Sequence, residues 1–363
     1  MALAHTSIRN VASHFRISGS LVDSSEIETG LINSTYLLSY RDGADSTSQY
    51  ILQRININVF HAPHAVMHNV KVITEHIAKK SESPENRVLR LLPTTTGDDF
   101  LQLDDDIWRC YNFIEGCVTY DIVETAQQAY QAAYAFGTFQ NLISDIPVSE
   151  IKETIPHFHD TQKRYDRLMQ VAGEDVCMRA SSVQVELEKV KLRKGIVSKL
   201  LDLRDKGELP VRVTHNDTKL NNVMMDAATD EAVCVIDLDT VMPGLALYDF
   251  GDLVRTAVSS AGESATDLES VNIRIPIFKA LVDGYLIAFT DLSKVEKELL
   301  IFSGTLISLE VAIRFLTDYL EGDIYFKTTY EKQNLDRARM HLKLVEELEK
   351  NEAEMSQYVE TRQ

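Results

Sequence analysis

Cysteine is scarce in this chain and carries no pattern. Cys110, Cys117, Cys177 and Cys234 form no CxxC pair and have no His cluster beside them. Neither a disulfide frame nor a zinc site is expected, and the thiols read as those of a reducing compartment. Positive charge is in deficit. Lys and Arg number 37 against 55 Asp and Glu, a formal net charge of −18. That argues against nucleic acid as a partner, since such binding needs basic patches that neutralise phosphates. It leaves a nucleotide open, because a divalent metal can sit between carboxylates and phosphates. The N-terminus, MALAHTSIRN, lacks a charged head followed by an apolar stretch, so no signal peptide is expected. No apolar run reads as long as the ~18–20 residues of a membrane span, and the expected location is the cytoplasm. Internal repeats and low-complexity segments are lacking too. What remains is an ordinary globular balance, 44% hydrophobic and 25% charged. The length of 363 residues suits two unequal domains.

Residues 1–113 read as mixed α/β. A helix over roughly 5–16 precedes two strands, INSTYLLSY (32–40) and SQYILQRIN (48–56), with the turn residues RDGADSTS between them. Val66, Val70, Val72, Ile73 and Ile77, near helical spacing, predict an amphipathic helix over 62–80. Two further strands follow, DDFLQLDDD and IWRCYNFI. After that helices dominate, expected over 123–144, 182–205, 273–290, 293–320 and 331–350, with one short all-β insert near 211–238.

That insert lies within VRVTHNDTKLNNVMMDAATDEAVCVIDLDT, residues 211–240. An apolar strand (Val211, Val213) ends in His215-Asn216-Asp217. A polar loop, a strand (Val223–Met225), a turn (Ala227–Asp230) and a second strand (Ala232–Ile236) lead to Asp237-Leu238-Asp239. The polar residues thus sit at strand ends, where a rigid scaffold holds them. Phosphoryl transfer needs an aspartate to orient and deprotonate the attacking hydroxyl, and oxygen ligands that hold magnesium on the phosphates. Kinases draw these from a catalytic-loop Asp, an Asn five residues on and an Asp on the next hairpin. Asp217 and Asn222 have that spacing, and Asp237 follows Asn222 by 15 residues. The hairpin would return Asp237 beside Asn222, so that the two share a metal. Asn and Asp are common turn residues, and a lone H-x-D-x4-N arises by chance; strand, loop, hairpin and second Asp together are far rarer. His215 reads as a brace for the loop rather than a proton-transfer group.

HNDTKLNN, IDLDT and YDFGD together resemble the aminoglycoside phosphotransferase and choline kinase superfamily, and within it the N-acetylhexosamine 1-kinases. The likeness runs along nearly the whole chain, through INSTYLL, YILQRIN, WRCYNFIEG, FGTFQNLIS, HFHDTQKRY and RFLTDYLEGDIYF. It implies an α+β, two-lobed, protein-kinase-like fold. Its small antiparallel-sheet N-lobe (1–113) would bind nucleotide, and its mostly helical C-lobe (114–363) would hold the catalytic loop and a sugar site. The implied reaction is in-line transfer of the ATP γ-phosphoryl, with Mg2+, to the anomeric C1 hydroxyl of N-acetylglucosamine or N-acetylgalactosamine. The implied roles are Asp217 as general base, Asn222 and Asp237 as magnesium ligands, and Thr240, Arg314 and Tyr325 as sugar-facing residues. Each of the last three has an alternative. Arg314 follows Glu310 by four residues, the spacing of an intrahelical ion pair, although an Arg on so apolar a helix needs some partner. Tyr325 could be core, and Thr240 a turn hydroxyl. Asp249 in YDFGD reads as a brace of the C-lobe or a cap of the following helix. HFHD (157–160) reads as part of the helical lobe rather than a metal site. A monomer with neither nucleic-acid nor membrane partners satisfies the sequence.

The N-terminal region departs from the kinase plan by what it lacks. No G-x-G-x-x-G precedes INSTYLL; only Gly30 is there, so phosphate cover falls to backbone amides around Leu31–Ser34 and to the Asn33 and Ser34 side chains. Gln53 stands where kinases carry a Lys, with Arg54 beside it. Successive strand residues face opposite sides, so only one of the two enters the cleft. Gln53 fits that register better, and Arg54 reads as a surface residue. Without the Lys, more of the charge neutralisation falls to magnesium. YNFIEG (111–116) fits a hinge, where Phe113 and Ile114 either touch adenine or are buried strand residues. Two other functions stay open. A kinase of a cationic amine or antibiotic would use carboxylates such as Glu310, Asp318, Glu321 and Asp323. A catalytically silent pseudokinase would fit the missing Lys, and is opposed by Asp217, Asn222 and Asp237 standing together.

Overall fold

The computed structural model describes residues 7–27, 32–43, 46–81 and 88–362. Gly30 and Leu31, assigned above to phosphate cover, lie outside the described residues. The N-terminal part is a five-stranded antiparallel sheet built from β1 (Ser20–Ile27), β2 (Ser34–Asp42), β3 (Ser46–Arg54), β4 (Leu101–Leu103) and β5 (Asp106–Asn112), in the order β1-β2-β3-β5-β4. Two-residue alternation sorts its side chains. Leu52, Trp108 and Cys110 pack with Val11, Ala12 and Phe15 around the short helix α1 (Ile8–Ala12). Ile51, Ile107 and Tyr111 face α2 (Pro63–Lys80) and the C-terminal part. Gln53 and Arg109 share this second face as direct cross-strand partners. The helix expected over roughly 5–16 is thus much shorter, and β1 went unforeseen because Leu21 alone is buried along it.

The C-terminal part is helical: α3 (Ala126–Ile143), α4 (Thr161–Glu174), α5 (Gln184–Lys191), α6 (Lys199–Asp205), α7 (Ala246–Ala257), α8 (Ile275–Ala288), α9 (Lys294–Glu298), α10 (Leu300–Glu321) and α11 (Gln333–Glu360). Thr125 and Gln128 start α3 with a reciprocal capping box. The helix then lies so close to α8 that a Cβ on Gly284 would sit 2.3 Å from the Tyr130 carbonyl oxygen. Several expectations are corrected. The helix read over 182–205 breaks into α5 and α6 around a 3-10 turn containing Gly195. The one read over 293–320 breaks at Leu299, and the one read over 331–350 runs on to Glu360. Against the expectation that no apolar run reaches a membrane span, α10 is long and apolar enough to cross one. Of its most apolar window 78% is buried, against α4, α7 and α11, the position of a core helix.

The expected all-β insert is two small sheets. β8 (Val223–Asp226) and β9 (Ala232–Val235) form the hairpin, extended by β6 (Cys117–Val118). β7 (Arg212–Thr214), which leads into His215-Asn216-Asp217, pairs instead with β10 (Met242–Gly244). This ribbon holds both ends of the functional stretch against each other.

Candidate active site

The catalytic loop is held from below by one carboxylate. Asp249, fully buried in the first turn of α7, accepts the backbone N–H groups of His215 (3.0 Å) and Asn216 (2.7 Å) and the Gln140 amide (2.5 Å). Helix α7 has already begun at Ala246, so Asp249 is a brace and not its N-cap. Burial pushes the Asp249 carboxyl up, and these donors oppose the shift. Asn216 takes a left-handed conformation, φ 65°, which a non-glycine residue holds only where its surroundings enforce it. Its side chain donates to the carbonyls of Thr214 (3.1 Å) and Thr240 (2.9 Å). A Cβ on Gly244 would fall 2.3 Å from the Thr214 hydroxyl, so β10 presses on the loop as only a glycine allows.

His215 is fully buried against Phe136 and Phe139. Its Nδ1 accepts the Asp217 N–H (3.3 Å) and its Nε2 donates to the Ile236 carbonyl (3.0 Å). Both ring nitrogens are engaged, as suits a brace. Asp217 stands half-buried at the loop's tip. Its Oδ2 lies 3.0 Å from the Lys219 ammonium and accepts from the Asn222 amide at 3.2 Å, while its carbonyl accepts from the same amide at 2.8 Å. Burial would raise the Asp217 carboxyl, but Lys219 and then His215 hold it below its ordinary value. Lys219, two residues after Asp217 in HNDTKLNN, was passed over in the sequence.

The hairpin returns as its spacing predicted: the Ile236 N–H donates to the Asn222 carbonyl at 2.9 Å, which sets Asp237 next to Asn222. Asp237 is left-handed, φ 61°, and open to solvent in the cleft. Enclosure by the cleft, then Asp239 and Asp217, push its carboxyl above the ordinary carboxylate value. A divalent cation would relieve that crowding. The donors fit magnesium: a carboxylate and an amide oxygen, Asn222 Oδ1, to which nothing among the described residues donates. No group of three or more His, Cys, Asp or Glu is arranged to hold a metal among the described residues. Two protein oxygens suffice for magnesium, which keeps waters and substrate phosphates in its shell.

Around this centre the remaining expected residues fall as follows. Gln53 points to the cleft side and Arg54 to the other, where it lies over Trp108 and pairs with Asp106 (3.5 Å). Gln53 is engaged at both ends of its amide: its Nε2 donates to the Thr35 hydroxyl (3.1 Å) and its Oε1 accepts twice from Arg109 (3.0 and 2.9 Å). Asn33 donates to Asp239 (2.8 Å), and the Ser34 hydroxyl accepts from Arg54 (3.3 Å). Phe113 is half-buried and Ile114 buried, just past the end of β5. The Thr240 hydroxyl donates to the His215 carbonyl (2.7 Å), a bracing contact.

Arg314 does not pair with Glu310. That carboxylate instead accepts from His159 (2.9 Å) and Thr161 (2.5 Å). The Arg314 guanidinium lies between the Phe158 and Phe326 rings, 5.5 Å from each centroid, with no hydrogen-bond partner among the described residues. Arg164 is near enough to be pushed down by burial and by the Arg314 charge. Tyr325 is 60% exposed, not core; a turn presents it, with the N–H groups of Ile324, Tyr325 and Phe326 all bonded to the Asp318 carboxylate. His159 joins this region to the loop, meeting Phe158 edge-on and reaching the Asn216 carbonyl at 3.4 Å. A cavity of about 460 Å³ also opens beside Asn216, between His157, His159, Arg204 and Tyr248. Neither Asp217, Arg314 nor Tyr325 lines it.

Known proteins share this fold. An aminoglycoside phosphotransferase from Alicyclobacillus acidocaldarius superposes with a TM-score of 0.61 at 13% identity, over 99% of this chain and 98% of that one. A choline kinase from Cryptosporidium parvum gives 0.56 at 16%, over 93% and 92%. A spectinomycin phosphotransferase solved with ADP and spectinomycin gives 0.57 at 13%, over 92% and 94%. At such identities the likeness speaks for the fold, which is the two-part, antiparallel-sheet-plus-helices fold expected. Residues 23–274, which include Asp217, Asn222 and Asp237, match the model of the phosphotransferase enzyme family. The chain belongs to that family of phosphotransferases.

Proposed function

We propose that this phosphotransferase acts on a neutral sugar, the anomeric C1 hydroxyl of an N-acetylhexosamine, and makes the sugar 1-phosphate. The observation that carries the reading is the state of the charges around Arg314. Its guanidinium lies against two rings and has no hydrogen-bond partner among the described residues, and Arg164 lies near it. The carboxylates that could have favoured a cationic acceptor are all engaged. Glu310 holds His159 and Thr161, Asp318 holds the 324–326 turn, Glu321 holds Arg167 (3.0 Å) and Asp323 holds Arg179 (2.6 Å). Two guanidiniums repel an ammonium, whereas Arg314 N–H groups and the exposed Tyr325 ring suit hydroxyls, an acetamido carbonyl and a sugar face.

Residues 1–113 would take the nucleotide, with Phe113 and Ile114 beside adenine and Asn33, Ser34 and Gln53 on the phosphate side; residues 114–363 would hold the acceptor beside Thr240, Arg314 and Tyr325. Asn222 Oδ1 and the Asp237 carboxylate would hold magnesium, which would supply charge neutralisation on the phosphates. Asp217 accepts the hydrogen bond of the C1 hydroxyl and takes its proton as the bond to phosphorus forms. Lys219 keeps Asp217 ionised until then. No covalent phospho-enzyme is needed. A cytoplasmic monomer fits this reading.

The test is ATP consumption by purified protein with magnesium against N-acetylglucosamine, N-acetylgalactosamine, glucose, choline and kanamycin, with the product's phosphate placed by phosphorus NMR. A sugar 1-phosphate from the N-acetyl sugars is expected; turnover with choline or kanamycin alone would overturn the acceptor. Arg314→Ala should raise the acceptor KM about ten-fold or more, since hydrogen bonds from a charged donor contribute ~1.5–3 kcal/mol. The KM for Mg-ATP should stay put. A rise in both would place Arg314 in the scaffold.

A further inference from the structure

The missing strand lysine has a replacement on the neighbouring strand. Arg109 and its partner Asp239 are each 1% exposed. An Arg so deep in an apolar strand needs acceptors, and each of its three nitrogens has one. Nη1 donates to Asp239 Oδ1, Nε and Nη2 to Gln53 Oε1, and the guanidinium lies 5.1 Å over the Tyr111 ring. The second Asp239 oxygen accepts from Asn33, whose own oxygen accepts the Asn56 N–H at 3.0 Å. One carboxylate, two residues past Asp237, therefore joins the sheet and the turn before β2 to the strand end that carries Asp237. Kinases pair the strand Lys with a Glu of the following helix. Here α2 offers only Glu75, which lies 3.8 Å from Lys71 and half-exposed. That helix instead docks through Asn69, which donates to the Val241 carbonyl at 2.9 Å.

We propose that Arg109 is a positioning residue of the phosphoryl-transfer site, which through Asp239 fixes the Asp237 turn and so sets how tightly Mg-ATP is held. The inference rests on Asp237 being the magnesium-side carboxylate. It also accounts for Gln53: a Lys there would press a second cation against the Arg109 guanidinium.

The experiment is calorimetric titration of the full chain with ATP over a series of Mg2+ concentrations, beside KM for both substrates. Wild-type protein that binds no Mg-ATP would sink the kinase reading itself and is thereby told apart. With wild type binding, Arg109→Met is expected to raise the Mg2+ half-saturation and the KM for Mg-ATP about ten-fold or more, the equivalent of ~1.4 kcal/mol, with the acceptor KM unchanged. Arg109→Lys should recover part of that. Should Arg109→Met not fold, Asn33→Ala removes one donor to Asp239 from a half-buried position and should move the Mg2+ half-saturation in the same direction. Gln53→Lys should weaken Mg-ATP binding. Unchanged Mg2+ half-saturation in the folded variants, or tighter Mg-ATP binding by Gln53→Lys, overturns the proposal.

Discussion

Asp217→Asn should lower kcat by about 10²–10⁴-fold, the range a positioned general base supplies, and leave Mg-ATP affinity essentially unchanged. The substitution keeps the size of the side chain and its oxygen for Asn222, but removes the charge that Lys219 faces at 3.0 Å and the acceptor for the hydroxyl proton. Binding and chemistry should therefore separate, which steady-state kinetics and nucleotide titration on the same preparation will show. The pH profile gives a second readout. Since Lys219 and His215 outweigh burial and hold the Asp217 carboxyl below its ordinary value, the base is ionised through the neutral range. Its loss by protonation, and the acid limb of kcat/KM that follows, belongs below the usual carboxylate range. A variant that keeps near-normal kcat would end the general-base assignment. One that loses Mg-ATP binding instead would move Asp217 to the metal side of the site.

Much of this site was legible because it is local. The spacing from Asp217 through Asn222 to Asp237 lies on one loop and one hairpin, and hairpin register follows from a few turn residues. The partner of β7 was hidden, because β10 reads Met-Pro-Gly, a sequence that breaks strands rather than forms them. Helix α7 went unread although Asp249, Asp252, Arg255 and Thr256 recur there at helical spacing; that polar stripe faces inward at Asp249 and Asp252, and ten of the twelve residues are buried. Helix α4 did carry a signal, with Tyr165, Leu168 and Val171 buried at three-residue spacing behind the Asp160 N-cap.

Long-range charge pairing was the least legible part. The Gln53-for-Lys departure was visible, but its compensation was not, because Asp239 lies 130 residues from Arg109. The hint was an Arg in the middle of IWRCYNFI, an otherwise nearly continuous apolar strand; a buried guanidinium always has a partner to be found. Arg314 shows the same limit in reverse. Helical spacing offered Glu310 as an alternative partner, yet His159 and Thr161, about 150 residues away along the chain, claim that carboxylate first. The family match ends at residue 274, before Arg314 and Tyr325, so the residues that would choose the acceptor are those the shared machinery constrains least.

Asp249→Ala should be as damaging as removal of the base itself, although Asp249 touches no reacting atom. Truncation strands the His215 and Asn216 N–H groups and the Gln140 amide in a fully buried place. Unpaired buried donors cost ~1–3 kcal/mol each, together a large share of the ~5–15 kcal/mol that holds a domain folded. The same two N–H groups carry the backbone into the left-handed turn at Asn216, so the loss is felt at Asp217 in the next peptide. Asp249→Asn is the informative companion. Its amide oxygen can accept from one of the two backbone donors, but its NH₂ group then faces the other, so both melting temperature and kcat should fall between wild type and Asp249→Ala. Thermal unfolding read beside kcat separates the two consequences. Were the loop held by helix packing alone, Asp249→Ala would melt close to wild type and turn over normally, and the bracing role would have to be given up.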